Sequence, residues 1–286
     1  MIIRYLAALL LALTPLAPAA AQTHFSVAVE GSGPDVILIP GLMSGRSVFD
    51  DAAASLGGKY RLHRVQLAGF AGEPVAVDAE GALLPAVVEA LHAYIAANRL
   101  KRPALVGHSM GGLLGLMLAD RYPEAVGKLL IVDALPFYAM MMGPAATAAS
   151  VGPQAAMLRD GIAAMDDAAF AAQQAQTFAM LVKTEAVRPA LLAQSLASDR
   201  KVAAQAIYEV MTTDMRPKLA SIETPITVAY ATNAFATEAR VGPLYASYAA
   251  APNARIVAVE DSYHFIMQDQ PERFHALLKE FLSTTK

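Results

Sequence analysis

The sequence predicts an α/β fold: a mostly parallel central sheet, helices on both of its faces, and a helical segment inserted into it. Three observations carry that reading. Short apolar runs alternate with helical patterns over residues 25–133, the order that builds a parallel sheet covered on both sides. The alternation stops over residues 136–215, where no strand pattern occurs, and resumes at Ile226. Between one apolar run and a small-residue helical pattern stands a glycine-flanked serine, Gly107-His108-Ser109-Met110-Gly111.

Taken in order, residues 25–30 alternate apolar and polar side chains, the pattern of a half-buried strand. Gly31-Ser32-Gly33-Pro34 turns the chain. Asp35-Val36-Ile37-Leu38-Ile39 is a continuous apolar run, as expected of a strand buried on both faces. Residues 47–56 read as a helix and 60–67 as the next strand. Leu83, Val87, Leu91 and Ile95 recur four apart within a helical pattern over 78–98. Residues 104–107 lead as a strand into the serine turn, a helix continues through Leu118, and 128–132 form a further buried strand ending at Asp133. The inserted stretch carries helical patterns over 153–164, 166–181, 184–197 and 199–213. Strand 226–230, helix 237–250, strand 255–259 and helix 271–282 complete the chain. The core is thus expected over 22–135 and 216–286, with residues 136–215 as a cap over one sheet edge.

Composition narrows the function classes. Of 286 residues, 56% are hydrophobic and 16% charged, so a large core can form. A net charge of -3 with no basic run argues against nucleic acid. The chain has no cysteine, which removes disulfides, thiol nucleophiles and thiolate metal sites. At the N-terminus Arg4 precedes an apolar run over 5–13, then Pro15, Pro18 and Ala19-Ala20-Ala21. That is the pattern of an export signal over residues 1–21, and the run is too short for a bilayer, which takes about 20 residues. The mature chain is then expected to begin near Gln22, in the periplasm or outside the cell, with no stable membrane insertion. A membrane anchor or a loosely packed first helix is the alternative.

The serine turn carries the chemistry. G-x-S-x-G between a strand and a helix is a nucleophile elbow, which holds the serine in a strained conformation with glycines where a Cβ would collide. Together with Ile39-Pro40-Gly41 before a loop, the helical insertion, and Tyr263-His264-Phe265 near the end, it makes the chain resemble the α/β-hydrolase superfamily. The capped esterase, lipase and acyl-hydrolase branch is the nearest likeness, and it covers nearly everything after residue 21. Its motifs specify the fold but not the substrate.

A serine hydroxyl needs a base, and among the six histidines His264 alone follows the last strand. His24, His63 and His92 suit surface or core positions, His275 sits in the final helix, and His108 points away from Ser109 if the elbow forms. The resemblance places the base in the loop of His264, usually after glycine, where this chain has Tyr263. It also implies an oxyanion hole made by the backbone amides of Met110 and of the residue after His-Gly; here that motif is Pro40-Gly41, which gives Leu42. Ser44 could add a hydroxyl or serve as a turn residue. The acid is where the chain departs. Similar enzymes carry it after the strand that follows the cap, but Ala231-Thr232-Asn233-Ala234 has no carboxylate. Asp133 is the leading substitute, with Glu238 and Asn233 as alternatives. Asp261 is close to His264 in sequence, and Asp214 is read as tying the insertion to the core. Phe137, Tyr138, Met141 and Met142 open the insertion and either line an acyl-chain pocket or pack cap against core.

Two readings follow. The first is an exported serine hydrolase that cleaves an ester, lactone or similar acyl bond of a small hydrophobic substrate through an acyl-enzyme, with no metal or organic cofactor. Acyl transfer and perhydrolysis use the same parts. The second is a non-catalytic small-molecule-binding protein, favoured by the missing carboxylate after the post-insertion strand.

Overall fold

A computed structural model describes residues 24–76 and 81–284; the expected export signal lies outside them. Seven strands form one sheet in the order β1 (Phe25–Glu30), β3 (Arg61–Leu67), β2 (Asp35–Ile39), β4 (Ala104–His108), β5 (Lys128–Val132), β6 (Ile226–Thr232), β7 (Ala254–Glu260). Only β1 runs antiparallel, and it sits at the edge. Its sequence reads as half-buried, and Val29 and Glu30 are exposed there.

The central strands are apolar throughout because both faces are covered. Ile37, Ile39, Leu105, Leu129, Ile131 and Val228 face one core, shared with α2 (Leu83–Ala97) and α3 (Met110–Arg121). Val36, Leu38, Val106, Leu130, Val132 and Ala229 face the other, shared with α1 (Asp50–Ser55) and the C-terminal helix α10 (Pro271–Ser283). Fully buried side chains such as Leu105 and Leu130 each contribute about 1.5–3 kcal/mol by leaving water.

Between β5 and β6 the chain is helical: α4 (Ala148–Ala164), α5 (Asp167–Leu181), α6 (Arg188–Leu196) and α7 (Arg200–Thr212). Their starts are written locally. Thr147 and Ser150 form a capping box, Asp166 accepts from the Ala169 amide, and Asp199 accepts from the amides of Lys201 and Val202. After β6 come α8 (Glu238–Tyr245) and, before α10, the short α9 (Ile266–Asp269). No described helix is long and apolar enough to cross a membrane.

The differences from the sequence reading are at element ends. Among the described residues α2 begins at Leu83, where the Glu209 carboxylate of α7 accepts from the Leu83 and Leu84 amides at 2.6 and 2.7 Å and caps the helix; positions 78–80 of the expected helix lie outside the described residues. Gly81, at φ 129°, precedes it in a non-helical conformation. Helix α4 starts five residues before the expected 153, with Pro153 inside it. The expected helices over 47–56, 184–197 and 237–250 each divide into an α-helix and a tighter 3-10 turn.

Candidate active site

The loops after β2, β4, β5 and β7 lie at the carboxyl edge of the parallel strands, where open α/β sheets bind ligands. Four side-chain-bearing residues adopt positive φ in these loops: Met43 at 52°, Ser109 at 53°, Asp133 at 49° and Asp261 at 60°. Such conformations cost on the order of 1–3 kcal/mol each and persist only when the surroundings over-determine them.

Ser109 (φ 53°, ψ -122°) stands between the end of β4 and the start of α3. Its amide donates to the Val132 carbonyl at 2.9 Å and its carbonyl accepts from Gly112 at 2.8 Å, which locks the bend. The flanking glycines are obligatory. A Cβ on Gly107 would lie 2.2 Å from the Gly111 carbonyl oxygen, and one on Gly111 would lie 2.2 Å from that of Ile39. Ser109 itself remains partly exposed while its neighbours are buried.

His264 lies in the loop after β7. Its Nδ1 is 2.7 Å from Asp133 Oδ2. Because β4 and β5 are parallel neighbours in register, with His108 opposite Val132, the Ser109 and Asp133 turns leave the sheet side by side. Asp133 Oδ1 accepts from the Ala231 amide and the Tyr245 hydroxyl, each at 2.9 Å. Burial, reinforced by the Asp133 carboxylate, pushes the Tyr245 phenol well above its ordinary pKa, so it stays a donor. Three donors thus hold one carboxylate, and the Asp133 carboxylate in turn fixes Nδ1–H on His264 and leaves Nε2 as the basic nitrogen. Ser109 Oγ and His264 Nε2 are not hydrogen-bonded to each other, a contact that commonly tightens only when substrate binds.

His108, next to Ser109, turns its imidazole to the backbone of the His264 loop. Its imidazole is fully buried, and Nε2 lies 3.1 Å from the His264 carbonyl oxygen. That oxygen can only accept, so Nε2 carries the proton and Nδ1 is bare. Burial, followed by the charge of nearby His264, holds its pKa well below the ordinary imidazole value, and it props the His264 backbone as a neutral ring.

Leu42 sits in a turn closed by the Ser44 amide donating to the Gly41 carbonyl at 3.3 Å. Gly41 packs against the elbow, since a Cβ there would lie 3.1 Å from Ser109 Cβ. Among the described residues, neither the Leu42 nor the Met110 amide donates to a protein acceptor. Both donors are available for a developing oxyanion, and Met110 also begins α3, whose dipole favours negative charge there. Ser44 is a turn residue: its hydroxyl donates to the Leu42 carbonyl.

The remaining sequence candidates are placed elsewhere. Glu238 accepts from the Tyr230 hydroxyl at 2.5 Å. Asn233 accepts from the Phe235 and Ala236 amides and donates to the Ser262 carbonyl, so it folds and braces the loop without reaching the imidazole. Asp261 pairs with Lys183 at the surface. Asp214 binds Arg216, which donates to the Ala146 carbonyl and lies over the Phe137 ring at 4.5 Å. Phe137 is therefore a fully buried anchor of the insertion rather than a pocket wall. Tyr138, Met141 and Met142 are exposed on the turn that follows. Among the described residues no group of three or more His, Asp or Glu side chains is placed to hold a metal.

Sequence reasoning missed Tyr245, Asp269 and Gln194. Asp269 accepts from the Tyr263 amide and from Lys183 and Thr184, joining the His264 loop to the insertion. An acid five residues after the histidine, at the end of a helical turn, was the available signal. Gln194 acts across 149 positions, and nothing local marks it.

A model of the alpha/beta hydrolase family matches residues 36–277. A pimeloyl-[acyl-carrier protein] methyl ester esterase from Aeromonas hydrophila is 35% identical over 115 residues, 40% of this chain and 43% of that protein, so the chain spans under half of that relative's length. The enzyme of the same name from Edwardsiella ictaluri is 26% identical over 86% of this chain and 92% of its own. A thermophilic esterase from Thermogutta terrifontis shares the fold with a TM-score of 0.75 at 18% identity, over 90% of this chain and 92% of its own. A match over most of the chain, on a sheet with the serine elbow at its carboxyl edge, is decisive for kinship: the chain belongs to the alpha/beta hydrolase family.

Proposed function

We propose that this chain is an exported serine hydrolase that cleaves carboxylic esters of hydrophobic acyl groups through an acyl-enzyme. The observation that carries the reading is the Asp133–His264 pair at 2.7 Å beside the strained Ser109 turn. Ser109 Oγ attacks the ester carbonyl while His264 Nε2 takes its proton. The oxyanion is held by the amides of Leu42 and Met110. The imidazolium then protonates the departing alkoxide, and water repeats the sequence on the acyl-enzyme with the same base.

The pairing of Asp133 with His264 also weighs against the rival reading. The missing carboxylate near Asn233 favours a non-catalytic binder; a carboxylate just after β5, 2.7 Å from the imidazole, supports the hydrolase instead. Two of the relatives named above are pimeloyl-[acyl-carrier protein] methyl ester esterases, which supports an ester with a small alcohol over an amide. Tyr138, Met141 and Met142, exposed shortly after Asp133, offer apolar contact to an acyl chain. Release after the Ala19-Ala20-Ala21 stretch would put the enzyme in the periplasm or outside the cell, so its ester would be a free one rather than one carried on a cytoplasmic protein.

A panel of p-nitrophenyl esters of graded acyl length, run beside methyl esters, lactones and anilides, tests the activity. Turnover of esters, lost in Ser109→Ala, is expected; turnover of none of these by the pure protein refutes it. N-terminal sequencing of protein from the extracytoplasmic fraction should begin near Gln22. An intact Met1 on soluble cytoplasmic protein removes the export element alone.

A further inference from the structure

The turn that carries Leu42 is strained and weakly self-supporting. Pro40 offers no N–H, Met43 holds a positive φ, and the bonds internal to the turn run from the Ser44 amide to Gly41 and the Ser44 hydroxyl to Leu42. What fastens it from outside comes from two directions. From the sheet, Gln66 Oε1 accepts from the Arg46 amide at 2.9 Å while its Nε2 donates to the Phe70 carbonyl. From the insertion, Gln194 on α6 spans the turn with both ends of its amide: Oε1 accepts from the Gly45 amide at 2.7 Å and Nε2 donates to Ser47 Oγ at 3.1 Å. The fit is close, since a Cβ on Gly45 would lie 3.1 Å from that Oε1. The next residue, Ser195, is fully buried with its hydroxyl 3.5 Å from Met43 Sδ and donating to Gln174 at 2.9 Å. One turn on, Ser198 Oγ accepts from the Ala71 amide and the Ala197 carbonyl accepts from the Gly72 amide.

We propose that Gln194 is a positioning residue for the oxyanion hole: reaching from the insertion, it clamps the Gly45–Ser47 end of the turn and so sets the direction of the Leu42 amide. This rests on the hydrolase reading above. On it the insertion does more than cover the substrate, because the donor geometry is complete only while α6 is seated on the turn. Losing the acceptor leaves the Met43 conformation free to relax and the Leu42 N–H misaimed, while Ser109, His264 and Asp133 keep their places.

The test compares an ester with its thionoester, in which sulfur replaces the carbonyl oxygen and accepts poorly from N–H donors. In the wild type the oxygen ester should react far faster. Gln194→Leu removes the acceptor at similar volume. It should lower kcat for the oxygen ester about 10- to 100-fold, less than the 10²–10³ for outright loss of a donor, with KM changed less than about threefold. The oxygen-to-sulfur rate ratio should shrink by the same factor as kcat. Gln194→Glu keeps an acceptor for Gly45 and should restore both to within about threefold. Should the leucine variant not fold, Gln194→Asn, which draws the acceptor back by one methylene, is read the same way. A merely structural role lowers both rates together, so an unchanged ratio overturns the proposal, as does a glutamate variant whose ratio is as impaired as that of leucine. A wild type that turns over neither ester and takes no fluorophosphonate at Ser109 overturns the hydrolase reading and this role with it.

Discussion

Replacing Asp133 by asparagine separates orientation of the histidine from everything else the carboxylate does. Asp133 accepts three hydrogen bonds: Oδ1 from the Ala231 amide and the Tyr245 hydroxyl, Oδ2 from His264 Nδ1. An asparagine can keep Oδ1 in place for the first two. Its NH2 then faces His264 Nδ1, which must become the acceptor, and the proton moves to Nε2. The base now presents N–H to Ser109. In serine proteases the equivalent acid-to-amide change lowers kcat about 10⁴-fold, which at about 1.4 kcal/mol per tenfold is roughly 5.5 kcal/mol of transition-state stabilisation. Here the expected loss is about 10³–10⁴-fold in kcat, with thermal stability altered by less than about 1 kcal/mol because two of the three bonds persist. Steady-state kinetics on a p-nitrophenyl ester, beside a melting curve, reads both. Glu238→Gln and Asp261→Asn serve as controls and should cost less than about tenfold. An Asp133→Asn enzyme near full activity, or a control that falls as far, refutes the assignment.

Three further outcomes follow from the same geometry. Gly111→Ala should be destabilised by about 1–3 kcal/mol or more and lose esterase activity, because its Cβ would sit 2.2 Å from the Ile39 carbonyl oxygen; a melting curve matching wild type contradicts this. His108, held neutral in the fold, gains its proton on unfolding once pH falls below about 6.5. Stability should therefore decline as pH drops through that value, this residue contributing a slope approaching about 1.4 kcal/mol per pH unit. His108→Gln, which keeps a donor for the His264 carbonyl, should remove that slope in urea titrations between about pH 6.5 and 5; identical slopes would refute it. Trimming Met141 and Met142 to alanine, both exposed, should shift acyl-length preference with little change in stability, and an unaltered ester profile removes them from the site.

The fold was legible because its signals are local. Short apolar runs at 36–39, 104–107 and 129–132, bounded by turn residues, read as strands covered on both faces, and the Gly107–Gly111 spacing places a sharp turn between two of them. Asp133 was legible as a candidate for a topological reason: strands joined by one helix tend to be sheet neighbours. Choosing it over Asn233 and Glu238 needed side-chain directions, since all three end or follow strands at the same sheet edge. The N-terminal limit of α2 was hidden because the group that caps it, Glu209, comes from a helix over a hundred residues later. The same holds for Gln194 and the turn of Leu42. For Phe137 the sequence left pocket lining and packing open, because an apolar residue before a methionine run suits both; its burial under the Arg216 guanidinium favours packing.

The proposed chemistry requires Ser109 to be an activated nucleophile. Treating the purified protein with a fluorophosphonate and mapping the adduct by peptide mass reads this out. One stoichiometric adduct on Ser109 is expected, absent from Ser109→Ala and much slower to form in Asp133→Asn. No adduct on the wild type, or equal labelling of Ser109→Ala, would contradict it.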